Sequence, residues 1–286
     1  MYFIGIDIGT TSCKLCVLSS ADFNRPIFNE QLAHNAHIFD NQSSTFDEQS
    51  PLKILETVET LLKQSNSFCH GLTMAGIQIC GQMHGLVLWS SKAPRSTVSS
   101  LVTWQDQRCT PEFLASLGSK MQHLKTGYGL ATLMWLIQQQ DEKDSGLEKY
   151  DRSGTIADYI TEILCENILI KSIMSTQMAV SWGAIDDGWP VEHRLLPALV
   201  HPGVTVGFSK ENVPIYVALG DLQCSVFSCQ PKENQGVVNI STSAQLAMTV
   251  ENKKVVFKTL LYRFLVECIA LILFLDCIGS NRDGQI

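Results

Sequence analysis

Phe3-Ile4-Gly5-Ile6-Asp7-Ile8-Gly9-Thr10-Thr11-Ser12-Cys13-Lys14-Leu15-Cys16-Val17-Leu18 reads as strand, tight turn, strand. Phe3 to Ile6 is a short apolar run of the kind that forms a buried strand, and Leu15 to Leu18 is a second. Ile8-Gly9 marks the turn, where glycine takes backbone angles that other residues avoid. Around it stand Asp7, Thr10, Thr11, Ser12 and Lys14: a carboxylate, three hydroxyls and an amine. Backbone N–H groups and hydroxyls of such a turn suit phosphate oxygens. Asp7 at its lip suits a hydrated Mg²⁺, which takes one or two carboxylates together with phosphate oxygens. An ordinary hairpin with a polar turn explains the same residues.

Val237-Val238-Asn239-Ile240-Ser241-Thr242-Ser243-Ala244-Gln245-Leu246 has the same form, with Asn239 to Ser243 aligned on Asp7 to Thr11. Two hydroxyl-rich hairpins in one chain suggest two half-molecules that clasp one polyphosphate. Chance explains so short a match as well.

The 286 residues are 45% hydrophobic and 17% charged, enough for one large core or two modest ones. Net charge is −7, and no Lys/Arg stripe marks a nucleic-acid surface. The ten cysteines are scattered and no basic, apolar leader precedes them, so reduced thiols in a cytoplasmic protein are expected. Cys13 and Cys16 lie three apart on a strand and point to opposite faces, which speaks against a dithiol or metal site.

Outward from the hairpin, a third strand is expected around Asn35–Ile38 and a loop over 40–46. Ser50 as N-cap and Pro51 at the first helical position open a helix that buries Leu52, Leu55, Val58, Leu61 and Leu62. Leu72–Cys80 and Leu86–Trp89 read as strands, so the order strand, helix, strand points to an α/β class. Thr110-Pro111 opens another helix, and further helices are expected over 130–140 and 156–168. Ile215–Leu219 is a strand that ends in Gly220-Asp221 before a short helix. Leu260 to Ile278 is apolar but interrupted by Arg263, Glu267 and Asp276, short of the roughly 20 apolar residues of a spanning helix. A membrane-surface helix, a partner helix and a tail unrelated to the fold all remain open there.

Three further constellations carry chemistry. Gly220-Asp221 places a carboxylate at a helix N-terminus, where free N–H groups favour its ionised form: a general base, or a plain N-cap. Gly81-Gln82-Met83-His84-Gly85 brackets an amide, a thioether and an imidazole between glycines: a small-ligand loop, or a core histidine in a turn. Trp104-x-Asp106-x-Arg108 puts three functional groups on one strand face: a ligand wall, or an Asp–Arg surface pair beneath a buried Trp.

Together and in this order these stretches resemble the FGGY family of carbohydrate kinases over about residues 2–250. Gly5 to Ser12 matches its first phosphate motif, and Gly81 to Gly85 its sugar-contact loop. Trp104 to Arg108 and Gly220-Asp221-Leu222-Gln223 match further motifs. Leu101 to Asp106, Glu112 to Leu117, Val217 to Gln223 and Asn239 to Ser243 look most like the family's sedoheptulose-phosphorylating branch. The resemblance implies an actin/hexokinase-like (ribonuclease H-like) ATPase domain, a mixed sheet flanked by helices. It implies transfer of phosphate from ATP, with Mg²⁺, to a ketose. Asp221 would be the base and Asp7 the Mg²⁺ residue. Gly9, Thr10, Thr11, Lys14 and Thr242 would line the phosphates, and Met83, His84, Trp104 and Asp106 the sugar. Ser241 departs from the glycine of many relatives. The implied domains are 1–235 for sugar binding, 236–250 as the start of a second domain, and 251–286 as a divergent tail. On this reading the adenosine-binding domain is largely missing and the chain's kinase activity is impaired. The rivals are another ketose or polyol, such as xylulose or ribulose, and a non-catalytic sugar-binding fragment.

Overall fold

The computed structural model describes residues 1–23, 25–39, 45–140, 146–167, 169–186, 188–231, 235–240, 244–249 and 255–260. The chain divides into two units, Met1–Cys224 and Ser225–Ile286.

The first unit is built on the opening hairpin. β1 (Tyr2–Ile8) and β2 (Ser12–Ser19) are antiparallel, with Asp7 opposite Lys14. β3 (Phe28–Ala33) adds a third antiparallel strand, pairing Ser12 with Ala33. The expected third strand at 35–38 is thus displaced. Its end forms β4 (His37–Ile38), which joins β5 (Glu48–Gln49) in a separate small sheet. β3 escapes a hydrophobic-pattern reading because it is an edge strand whose side chains are mostly exposed.

α1 (Pro51–Phe68) starts as expected, with Ser50 Oγ accepting from the Lys53 N–H. Its buried stripe is Ile54, Leu55, Val58 and Leu61; of the other residues expected there, Leu52 in the first turn is 42% exposed and Leu62 is half-buried. α1 leads into β6 (Met74–Gly81), parallel to β1 with Asp7 beside Cys80. β7 (Val87–Trp89) and β8 (Leu101–Val102) follow, then α2 (Pro111–Ser116) capped by Thr110, and α3 (Gly129–Gln140). β9 (Arg152–Gly154) pairs with β7. α4 (Ile156–Leu164) opens on a full capping box between Thr155 and Asp158. It ends four residues before the expected 168, because Glu166 N–H is taken by the Phe208 carbonyl at 2.9 Å.

β10 (Ile173–Ser175) and β11 (Ala198–Val200) form a separate parallel pair, with α5 (Thr176–Trp182) packed on both. β12 (Thr205–Phe208), β13 (Pro214–Tyr216) and β14 (Leu219–Gly220) complete the main sheet, and α6 (Asp221–Ser228) starts directly after β14. The order is β12-β13-β6-β1-β2-β3, with β14 also beside β6. β1, β6, β13 and β14 run parallel, so the ends of β1, β6 and β14 meet at one edge. α1 packs on β2 and β3, and α4 on β6. Ile4, Ile6, Ile8, Leu15, Val17, Ile77 and Ile79 fill the sheet's buried positions. The result is a mixed sheet flanked by helices, as the family resemblance implied.

In the second unit β15 (Gly236–Ile240) and β16 (Ala244–Thr249) form the expected hairpin, Asn239 opposite Gln245. β17 (Val255–Leu260), in the stretch read as tail, pairs antiparallel with β16. Thr242 and the apolar segment beyond Leu260 lie outside the described residues. Among the described residues no helix is long and apolar enough to cross a membrane, and the eight cysteines are free thiols. Cys13 is buried and Cys16 half-buried, in keeping with opposite strand faces.

Candidate active site

The turn expected to take phosphate is residues 9–11, between β1 and β2. Gly9 N–H closes it onto the Ser12 carbonyl at 3.0 Å. The carbonyls from Ile8 to Thr11 all face protein donors. Ile8 accepts from the Gln82 N–H at 2.8 Å and Thr11 from the His34 N–H at 3.2 Å. Thr10 accepts from Gln49 Nε2 at 2.9 Å. Gly9 accepts from His34 Nε2 at 3.3 Å. That ring nitrogen carries the proton, because the Ala36 N–H donates to Nδ1 at 3.1 Å. Burial pushes the His34 pKa down and keeps the ring neutral. Among the described residues the Thr10 and Thr11 N–H groups have no acceptor. A turn with its carbonyls engaged and two successive amides free is a concavity for anionic oxygens. His34 and Gln49, 6% and 3% exposed, belong to no motif, and only the tertiary structure brings them to the turn.

Two carboxylates flank the turn. Asp7, next to last in β1, has its side chain 35% exposed, 3.5 Å from Lys14 Nζ, and the Cys80 thiol lies 3.8 Å from its Oδ1. Asp221 follows Gly220, which pairs beside Gly81, so it stands at the same edge of the sheet. Desolvation pushes the Asp221 pKa up to about 6, against the pull of the Leu222 N–H, and the charge of Asp7 adds to the rise. The sequence expectation that the helix N-terminus favours ionisation is outweighed here by burial. Asp7 fits a Mg²⁺ site of the open kind. Its carboxylate is a hard oxygen donor beside free amides, and among the described residues no closed group of three or more ligands surrounds it. Mg²⁺ keeps several waters and suits such a site.

The loop Gly81–Gly85, expected to take the sugar, is held from α5. The Trp182 indole donates to the Gly85 carbonyl at 2.8 Å. His84 has φ 73°, and its ring stacks on Tyr128 with centroids 4.9 Å apart. His84 Nδ1 donates to the Ser181 carbonyl, so in the neutral ring that burial favours Nε2 is left as an acceptor. Met83 is buried, and its sulfur lies 2.8 Å from where a Cβ on Gly220 would stand. A side chain at 220 would force the Gln223 and Met83 side chains to shift beside Asp221.

Trp104 is half-buried and donates from Nε1 to Thr10 Oγ1 at 3.3 Å, joining the sugar side to the phosphate turn. Asp106 stands behind it, 1% exposed. Its two oxygens accept from Arg108 Nε at 2.8 Å and Nη2 at 2.9 Å. The backbone N–H groups of Arg108 and Asp47 also donate to them. Arg108 reaches on to Glu48 at 2.6 Å and lies over the Phe46 ring. The expected strand face over 104–108 is not formed: β8 stops at Val102, and the Asp106 N–H turns back onto the Thr103 carbonyl at 3.2 Å. Asp7, Gly9, Thr10, Thr11, Lys14, Met83, His84, Trp104 and Asp221 gather at the one sheet edge; Asp106 forms the support under it.

Comparison with known proteins bears on this arrangement. Residues 2–180 match the model of the FGGY family of carbohydrate kinases, N-terminal domain. Human sedoheptulokinase is 35% identical over 291 residues, 86% of this chain and 59% of that protein. Xylulose kinase of Staphylococcus xylosus is 25% identical, over 88% of this chain and 55% of that protein. This chain therefore spans under two thirds of the length of these relatives. Gluconate kinase from Lactobacillus acidophilus shares the fold with a TM-score of 0.71 at 18% identity, over 86% of this chain and 54% of that one. Plasmodium falciparum glycerol kinase with ADP does so with a TM-score of 0.71 at 16% identity, over 86% and 54%. The chain belongs to the FGGY family of carbohydrate kinases.

Proposed function

We propose that this chain supplies the sugar- and phosphate-binding half of an ATP-dependent kinase that phosphorylates the terminal hydroxyl of sedoheptulose. The observation that carries this reading is the meeting of the phosphate turn, the sugar loop and Asp221 at one edge of the sheet. Residues 1–235 would be the sugar-binding domain, and the hairpin at 236–250 the entry to the second.

In this mechanism Asp221 Oδ1 is held by the Leu222 N–H at 2.8 Å, and Oδ2 is the oxygen that takes the hydroxyl proton. The free amides of Thr10 and Thr11, with their hydroxyls and Lys14, hold phosphate oxygens beside it. His84 Nε2 accepts from a sugar hydroxyl while Met83 and Trp104 cover the apolar side. Asp7 would hold Mg²⁺ through water; when bound, the ion neutralises charge developing on the phosphates. Thr242 is proposed for the γ-phosphate from its family motif alone.

A coupled kinase assay over sedoheptulose, xylulose, ribulose, gluconate and glycerol on this half completed by a second domain, with titration of each sugar, tests the reading. Turnover or binding best with sedoheptulose is expected. Preference for another sugar overturns the substrate, and binding without any transfer favours a sugar-binding role. The pH profile adds a check. Asp221 acts only when ionised, so kcat/KM should rise with pH through an inflection at about 6. For stability the sign is opposite. A raised carboxyl pKa means its contribution is present below 3.8 and lost as pH climbs through about 6.

His84→Ala should weaken sugar binding by roughly 1–3 kcal/mol, the cost of an unpaired buried polar partner. Calorimetric titration checks this. A fall in melting temperature with unchanged affinity per folded molecule would assign His84 to the core instead.

A further inference from the structure

Gln49 lies outside every motif of the sequence, yet it touches both halves of the candidate site. It sits on β5, with its backbone fixed between β4 and β8, directly before the Ser50 cap of α1. Its side chain is 3% exposed. Nε2 donates to the Thr10 carbonyl at 2.9 Å, and Oε1 accepts from Gln82 Nε2 at 3.1 Å. The direction of this relay is set by chemistry. A carbonyl only accepts, so Gln49 must present its NH₂ to Thr10, and its oxygen is left for Gln82. Gln82 is 2% exposed and has no described partner on its own Oε1, so Gln49 alone orients that amide. The next two residues are Met83 and His84.

We propose that Gln49 is a positioning residue that ties the sugar loop to the phosphate turn, so that sugar and nucleotide set each other's affinity through it. Sugar seated on Met83 and His84 steadies Gln82, and Gln49 passes that constraint to the Thr10 carbonyl. The Thr10 and Thr11 amides then face phosphate in one arrangement. The inference rests on the kinase reading above.

Titration calorimetry on the kinase completed by its second half tests it, with sedoheptulose and MgATP each measured alone and at saturation of the other. Linkage requires one coupling factor in both directions, and about 5–150-fold is the usual range. Gln49→Leu, of similar size and without either hydrogen bond, should bring the factor close to unity while changing each separate affinity less. Gln82→Leu breaks the relay from its other end and keeps the experiment decisive if Gln49→Leu folds poorly. The double variant should be no worse than either single one. Coupling retained in both single variants, or absent from the wild type although both ligands bind, overturns the proposal and leaves the kinase reading standing. A completed wild-type kinase that binds neither sugar nor MgATP overturns both.

Discussion

Made in an active kinase that carries both halves, Asp221→Asn should lower turnover by about 10²–10⁴-fold, the range of a general base, with sugar affinity nearly unchanged. Asparagine keeps the size of the side chain and can still accept from the Leu222 N–H that now holds Oδ1. What it loses is the basic oxygen that takes the proton. It also removes the negative charge that Asp7 faces across the site. A merely structural effect would appear in melting temperature and in sugar binding. Loss of the base appears in kcat, and with it should go the inflection at about 6 in the pH profile. Steady-state kinetics across pH, paired with sugar titration, measures all three. Near-normal turnover in the variant would remove Asp221 from the proposed role.

The parts of this site that were legible in the sequence are those whose physics is local. The β1–β2 hairpin shows itself because its apolar strands and glycine turn are contiguous. Ser50 and Thr110 show themselves because a cap and its proline are neighbours. His34 and Gln49 were not legible. A buried polar side chain becomes recognisable only when the carbonyl it serves is known, and those carbonyls are many residues away in the chain. β3 was hidden because an edge strand needs little apolar surface. The end of α4 was misplaced because the Phe208 carbonyl, not the local sequence, claims the Glu166 amide. For Trp104–Arg108 the local geometry differs from the sequence expectation. Spacing of two suggests one strand face, whereas the ion pair forms inside a turn.

That ion pair gives the largest expected effect on stability. Arg108→Met should destabilise the fold by about 3–5 kcal/mol, the cost of leaving a buried charge without its partner. Asp106 is 1% exposed and receives both Nε and Nη2 of Arg108. Without the guanidinium only the backbone N–H groups of Asp47 and Arg108 remain on it. Glu48 loses its 2.6 Å contact in the same step, and the Phe46 ring loses the cation above it. At about 2–4 °C per kcal/mol for a unit of this size, melting should fall by about 6–20 °C. Asp106→Asn combined with Arg108→Met should cost less than Arg108→Met alone, because no unpaired charge is then buried. Thermal melts of the two variants decide this ordering. Sugar titration of the double variant decides a second matter. If Asp106 acts as support beneath Trp104, affinity per folded molecule should survive its neutralisation. If Asp106 turns toward the sugar, affinity should drop even where the fold holds. A double variant less stable than Arg108→Met would show that the carboxylate is not the group the guanidinium sustains.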